Sequence, residues 1–328
     1  MYEYRSQNPI FLSPLADLFG KFVAEKKACG YRYQNEQLTL IRFDKFLVKH
    51  ELTRAELPRP VVEEWTAKRI HESPKTHRMR FNLTRQFALF AKKRGCTAYI
   101  PCHRPGPSYT TKLDPYIFSH DEIRRLFVAA DNLQYHHGSP LRHLVIPELI
   151  RLLYGCGLRI GEAQRLLIRD VNLDTGILTI RESKFRKDRI VPMAPELTSR
   201  LKSLNKTLGK RREETFFFPA PGDKPYCSSA LYENFRHLLR KSGIHHRGRG
   251  GGPRLHDIRH TFAVHRMAKW YKEGADLNAK LPVLATYMGH QSLYSSQQYL
   301  HLTIDLFVDI SSGLDRVYGY VIPRRNMQ

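Results

Sequence analysis

Over the first hundred residues, apolar side chains return every three or four positions, the spacing of helices that bury one face. Leu15, Leu18, Phe19, Phe22 and Val23 line one such stripe. It is opened by Ser13-Pro14, a capping residue followed by a proline suited to the first helical position, and closed by Gly30. Leu40, Phe43 and Leu47 predict a second helix over 34–49, and a third follows Pro60 through Trp65. A fourth repeats the Ser-Pro opening at Ser73-Pro74 and carries Phe81, Phe87 and Phe90 inward as far as Gly95. These segments predict a small helical bundle. Residues 101–115, with Pro101, Pro105, Gly106, Pro107 and Pro115, break both the helical and the strand period and read as a linker.

A second region begins at Ser119 and Glu122, an S-x-x-E capping box leading a helix with Ile123, Leu126 and Phe127 on its apolar side. Helices are predicted at about 141–155 and 160–168. Two β-like runs follow, Ile177 to Arg181 and Arg189 to Pro192, joined by a charged turn as a hairpin. Further helices are expected near 195–208, 228–242, 258–272, 281–288 and 294–309. The fold class is therefore mainly α with a small β-hairpin or sheet. Its expected domains are a helical bundle over 1–100, a linker at 101–115 and a mixed, mostly α-helical domain over 116–328.

Charge narrows the partners. The 328 residues hold 54 Lys and Arg against 31 Asp and Glu, a net charge of +23 that favours a polyanion. The excess is shared, with 20 basic and 10 acidic residues up to position 110 and 34 against 21 beyond, so two positive halves can hold a duplex from opposite sides. Charge alone leaves ribosomal RNA, an anionic membrane or simple solubility open. No apolar run approaches the ~20 residues needed to span a bilayer, and the first residues lack the features of a signal peptide, so a cytoplasmic, non-membrane protein is expected. Five scattered cysteines suit reduced thiols, and Cys96, Cys102 and His103 lack the paired spacing of a zinc site; no metal is expected. Lys75, Arg78, Arg80 and Arg85 belong to a dense basic stretch on the third and fourth helices. It reads either as a surface gripping a nucleic-acid backbone or as an ordinary solvated face.

Four separated segments carry reactive groups. In Tyr154-Gly155-Cys156-Gly157-Leu158-Arg159-Ile160-Gly161-Glu162, glycines permit a tight turn into a helix, Arg159 can face a phosphate, and Glu162 one turn on can orient its guanidinium. In Glu182-Ser183-Lys184-Phe185-Arg186-Lys187-Asp188, the hairpin tip presents Lys184, which can reach into a minor groove. In Pro253-Arg254-Leu255-His256-Asp257-Ile258-Arg259, His256 and Arg259 stand three residues apart on one side of a helix. Last comes Gly289-His290, with Tyr299 nine residues beyond the histidine. A phenol with its free pKa near ~10 is a poor nucleophile, so attack by Tyr299 on phosphate needs a base and surrounding cations. The other three segments hold such groups.

In order and spacing, Arg159, Lys184, His256-x-x-Arg259, Gly289-His290 and Tyr299 resemble the tyrosine recombinase, or phage integrase, family, of the mobile-element integrase type. The resemblance covers about residues 115–310 and, more loosely, the N-terminal bundle, which looks like the family's core-binding domain; 116–328 would be the catalytic domain. It implies double-stranded DNA as substrate and no metal or nucleotide cofactor. Arg159 and Arg259 would clamp the non-bridging oxygens of the scissile phosphate, His290 would add a hydrogen bond, and Tyr299 would attack phosphorus. His256 would assist proton removal, Lys184 would protonate the departing 5′-oxygen, and Glu162 would support them. Four protomers on two duplexes are expected, with the apolar segment after Tyr299 docking on a neighbour.

The chain departs from the family pattern at the hairpin, which reads Ser-Lys-Phe where many members have Gly-Lys-Gly, leaving Lys187 as a second candidate for the acid. The loop from His245 to Gly252 is glycine-rich and basic, and Arg186, Lys187, Arg247, Arg249 and Arg254 join the expected DNA contacts. With the first helix starting near residue 13, no arm-type DNA-binding domain is expected ahead of it. The residues leave two alternatives to recombination: relaxation of supercoils in the manner of a type IB topoisomerase, and a non-catalytic, architectural DNA-binding role.

Overall fold

The structure is a computed structural model that describes residues 11–31, 33–102, 115–181, 188–246, 248 and 252–289. The chain forms two compact units, Met1–Lys112 and Leu113–Gln328.

In the first unit the four predicted helices are α1 (Ala16–Ala28), α2 (Gln34–Lys49), α3 (Arg59–Thr66) and α4 (Pro74–Lys93). Aromatic rings fill the space between them, because a ring buries a large apolar area at little entropic cost and pairs favourably with its neighbours. Phe19 of α1 stacks on Phe87 of α4 with ring centroids 3.9 Å apart, and Phe43 of α2 stacks on Trp65 of α3 at 5.0 Å. The indole N–H is satisfied inside the core by the Thr84 hydroxyl at 3.0 Å. A parallel pair of two-residue strands not foreseen from the sequence, β1 (Glu56–Leu57) and β2 (Thr97–Ala98), ties the approach to α3 to the exit from α4.

Two sequence expectations for this unit change. Ser13 is not the cap of α1, which begins two residues after Pro14. The backbone N–H groups of Leu12 and Ser13 donate to the buried Asp44 carboxylate at 2.7 and 3.0 Å, and that long-range pairing holds the segment in a turn. Arg80, expected among the backbone-gripping cations, is instead an interior residue, 5% exposed. Its guanidinium pairs with Glu72, Nη2 to Oε2 at 2.5 Å and Nε to Oε1 at 2.9 Å, and donates to the Ala67 carbonyl. It also lies 5.5 Å from the centre of the Trp65 ring. Lys75 and Arg78, earlier in the same helix, are exposed and Arg85 is half-buried. The helix thus turns Arg80 toward the core while Lys75 and Arg78 face outward.

The second unit is built around α6 (Arg142–Cys156), which follows α5 (His120–Asp131). The capping box at its start is formed: Glu122 N–H donates to Ser119 Oγ at 3.1 Å, and Ser119 N–H to Glu122 Oε2 at 2.8 Å. Val145, Ile146, Leu149, Ile150, Leu152 and Leu153 of α6 are all buried, so the helix is apolar nearly all round, as one enclosed by other elements must be. The next helix, α7 (Ile160–Gln164), is shorter than the sequence pattern suggests; after it the chain takes a 3₁₀ turn at Ile168–Asp170 into a strand.

That strand, β3 (Val171–Asn172), joins the predicted hairpin of β4 (Ile177–Ile180) and β5 (Arg189–Pro192) as a three-stranded antiparallel sheet with β4 in the middle. Register pairs Leu178 with Val191 and Ile180 with Arg189. Alternation along a strand therefore sends Leu178, Ile180, Val191 and Arg189 to the same inner face. Then follow α8 (Pro195–Thr207), the strand pair β6 (Pro219–Ala220) and β7 (Lys224–Pro225), α9 (Ser228–Lys241), α10 (Asp257–Lys272) and α11 (Leu277–Met288). The predicted helix at 294–309 lies outside the described residues.

Burial of both partners makes Arg80 and Glu72 an interior ion pair, and removing one leaves an unpaired charge behind. Arg80→Ala is expected to destabilise the first unit by about 3 kcal/mol or more, whereas Lys75→Ala and Arg78→Ala should leave stability almost unchanged; urea unfolding followed by tryptophan fluorescence reads the difference.

Candidate active site

Four elements of the second unit converge at the C-terminal end of α11. The chain leaves α6 through Gly157 in the left-handed conformation, φ 58°, and a Cβ there would overlap the Phe262 ring, so the turn admits only glycine. It delivers Arg159 to the start of α7, where Glu162 curls back on it. The Glu162 carboxylate accepts from the Arg159 backbone N–H at 2.9 Å and from its Nη1 at 2.8 Å. Arg159 then reaches the Gly289 carbonyl with Nη2 at 2.6 Å. From α10, Arg259 donates to the carbonyls of Gly157 and Met288, the latter at 2.7 Å, and is only 3% exposed.

A third arginine was not singled out by the sequence. Arg189, at the start of β5, forks onto Glu162 with Nη1 to Oε1 at 2.9 Å and Nη2 to Oε2 at 2.7 Å, and donates from Nε to the Tyr287 carbonyl at 2.9 Å. Three successive carbonyls, Tyr287, Met288 and Gly289, are thus each capped by a different arginine. The last carbonyls of a helix have no intrahelical partner and carry the negative end of its dipole, so guanidinium groups are well matched to them. The available signal was Arg189's place in the strand: a charge at an inward position of an apolar face requires a buried partner.

Electrostatics follow the geometry. Burial alone would raise the Glu162 carboxyl, but the hydrogen bonds and charge of Arg189, with those of Arg159, outweigh it and hold the group at about 2. His256 stands at the N-cap position of α10, where its side chain makes no capping hydrogen bond, and the residue is exposed. Partial desolvation lowers its pKa, and the Arg259 guanidinium lowers it further, with smaller effects of the same sign from Arg254 and Arg159. The imidazole is therefore neutral near pH 7 and able to accept a proton. His260 lies against it, ring centroids 4.9 Å apart, and is lowered to about 4, first by burial and then by His256. Arg254 forks onto the buried Asp257 carboxylate, Nη2 to Oδ1 at 2.7 Å, which orients it at the head of α10 while leaving it half-exposed.

Of the residues expected to act, the structure brings Arg159, Glu162 and Arg259 together and sets His256 at the head of the helix that carries Arg259. Lys184, Arg186, Lys187, Arg247, Arg249, His290 and Tyr299 lie outside the described residues. The last described residue, Gly289, immediately precedes His290.

With this geometry in view, the comparisons identify the chain. The model of the phage integrase family matches residues 117–305, more than half of the sequence, and the chain belongs to that family. It is accordingly a tyrosine recombinase, an enzyme of site-specific DNA recombination. It is 28% identical to the putative integrase/recombinase y4rB of Sinorhizobium fredii over 307 residues, 90% of this chain and 95% of that protein. A second protein of the same organism, y4rE, is 36% identical over 58% of this chain and 61% of its own length. Tyrosine recombinase XerA of Thermococcus kodakarensis is 29% identical over 48% of this chain and 51% of its own length. In fold, the chain resembles a Tn1549 transposon integrase solved with transposon right end DNA, with a TM-score of 0.60 and 16% identity over 88% of this chain and 94% of that one. It also resembles the XerH site-specific recombinase bound to a palindromic difH substrate, with a TM-score of 0.57 and 20% identity over 84% and 78% of the two chains.

The depressed pKa of Glu162 fixes a pH window. Its contribution to stability is fully present above the unfolded value near ~4.3 and is lost as pH falls through the folded value. Between those limits, the wild-type protein is expected to lose on the order of 3 kcal/mol more than Glu162→Gln. Urea titrations of both proteins across the acid range check this: their curves should lie furthest apart at neutral pH and draw together toward the folded pKa.

Proposed function

We propose that this chain cuts one strand of a duplex at a specific site, holds the broken end as a 3′-phosphotyrosyl ester on Tyr299, and passes it to a second strand. The observation that carries the reading is the gathering of Arg159, Arg259 and Glu162, from distant stretches of sequence, at the carbonyl end of α11, one residue before His290. Negative charge builds on the equatorial oxygens of a pentacoordinate phosphorane, and cations fixed in advance favour that state over the ground state. Arg159 and Arg259 would hold those oxygens, with His290 adding a donor. The neutral His256 would draw the proton from Tyr299, and Lys184, or Lys187 in its place, would return one to the departing 5′-oxygen.

Atoms and energy balance without an auxiliary group. The phosphodiester is exchanged for a phosphotyrosyl ester of similar energy, the 5′-hydroxyl of another strand reverses the step, and neither metal nor nucleotide is required. The named relatives are integrases and recombinases, which favours strand exchange over relaxation of supercoils or passive architecture. The transposon integrase among the neighbours in fold is in keeping with a role in moving a genetic element. The domain roles follow the same reading: residues 1–100 form the core-binding domain, 101–115 the linker and 116–328 the catalytic domain. Lys75, Arg78 and Arg85 of α4, with Arg186, Lys187, Arg247, Arg249 and Arg254, would contact the DNA backbone, and four protomers would assemble on two duplexes in the cytoplasm. Among the described residues, no helix is long and apolar enough to cross a membrane.

A labelled duplex pool, randomised over one site and nicked so that the freed end diffuses away, tests the reading. Wild-type protein should retain label through denaturing electrophoresis as a covalent adduct; Tyr299→Phe should bind the selected duplex and form none. Arg159→Ala and Arg259→Ala should slow adduct formation by roughly 10²- to 10³-fold, the usual cost of losing one such donor. An adduct formed by Tyr299→Phe at the wild-type rate would assign the nucleophile elsewhere.

A further inference from the structure

All three side-chain nitrogens of Arg189 are engaged within the protein, Nε by the Tyr287 carbonyl and Nη1 and Nη2 by the Glu162 carboxylate. We propose that it is a positioning residue of the recombination reaction, setting both the Arg159 guanidinium and the point at which the chain leaves α11 for His290 and Tyr299. The inference rests on the cleavage mechanism proposed above.

Two lines of contact carry it. The first runs through Glu162. Its Oε1 receives Arg189 Nη1 at 2.9 Å and Arg159 Nη1 at 2.8 Å, so one carboxylate oxygen is shared between a buried guanidinium and the one that faces the site. The orientation of Arg159 is therefore only as well defined as that of Glu162, and Glu162 is held bidentately by Arg189. The second line runs to the helix end. Arg189 Nε holds the Tyr287 carbonyl at 2.9 Å, and its guanidinium lies against the Gly289 backbone so closely that a Cβ on Gly289 would fall 3.0 Å from Nη1 and 3.2 Å from Cζ. Gly289 itself takes φ +68°, a conformation that L side chains rarely adopt. Glycine is favoured here by its torsion, and a side chain would also press on Arg189; the next residue is His290.

A purely structural role explains this arrangement less well. The inner face of β4 and β5 is otherwise apolar, with Leu178, Ile180 and Val191 buried. Well-packed apolar residues commonly replace a buried ion pair with no loss of stability, so stability alone does not call for a charge in this row. What an apolar side chain cannot do is hold the Glu162 carboxylate and the Tyr287 carbonyl at the end of α11 at the same time. Misplacement of reacting groups by about 1 Å can cost on the order of 10²-fold in rate even when the altered residue is remote from the chemistry.

The experiment uses the full-length protein and the selected nicked duplex, with single-turnover cleavage measured against enzyme concentration. Arg189→Gln is expected to lower the saturated rate by about 10²-fold while leaving the half-saturating concentration within about threefold of wild type. Arg189→Lys keeps the charge without the fork; it should melt close to wild type yet remain at least about tenfold slow, a separation that loss of stability would not produce. Gly289→Ala, which displaces the same contact from its other side, should show the same split between rate and affinity. The effects of Arg189→Gln and Glu162→Gln should combine to less than their sum, as expected for groups acting through one another. Wild-type rates in Arg189→Lys and Gly289→Ala, or a loss confined to affinity, would overturn the proposal, and Arg189→Lys decides the matter if Arg189→Gln does not fold. If the wild-type protein forms no adduct at all, the cleavage mechanism fails, an outcome distinct from adduct formation that is indifferent to residue 189.

Discussion

The candidate site of the second unit is organised around the buried carboxylate of Glu162. Glu162 takes an anion into an interior of low polarity, a loss in solvation that only close, well-oriented cations can offset. Arg159 and Arg189 together meet that requirement, and Arg189 by doing so ties α7 to β5. The same arginines, with Arg259, also answer the unpaired carbonyls at the end of α11. One network thus settles two electrostatic problems, a buried negative charge and the negative end of a helix, and each is a reason for cations to gather here before any DNA arrives.

Preassembly suits the chemistry of the family. In the mechanism proposed above, a phosphate entering the site would meet guanidinium groups whose orientation is already set, so little reorganisation would remain at the moment of bond breaking. Arg259, nearly enclosed, donates to two backbone carbonyls, whereas Arg159 is more open and, among the described residues, donates to one carbonyl besides Glu162. The two arginines therefore differ in exposure, Arg259 lying in the interior and Arg159 nearer the surface.

Much of this was legible in the sequence where the physics is local. The i, i+3 spacing of Arg159 and Glu162, the box at Ser119, the alternation of β4 and β5 and the aromatic stripes of the first bundle all act over a turn or a strand, within the range that periodicity reports. What the pattern did not yield depends on partners far along the chain or across a turn. Arg80 counts as one more surface cation until Glu72, in the loop just ahead of the same helix, is seen to pair with it. Ser13-Pro14 looks like the start of a helix until Asp44 claims the neighbouring N–H groups. Arg189 sits in plain view within its strand, yet its importance appears only when Glu162 and the end of α11 arrive from elsewhere. The same holds for the parallel β1 and β2, which pair two segments too short and too distant to signal each other.

The Asp44 clamp has a practical corollary for dissecting the molecule. Its side chain is 1% exposed and receives two backbone donors from Leu12 and Ser13. A shortened form that began at α1, a natural choice for anyone cutting at helix boundaries, would leave a buried carboxylate without those two donors and strip Phe11 from its stack on Phe19. The preceding strap, though it carries no regular secondary structure, belongs to the core of the bundle and not to its fringe.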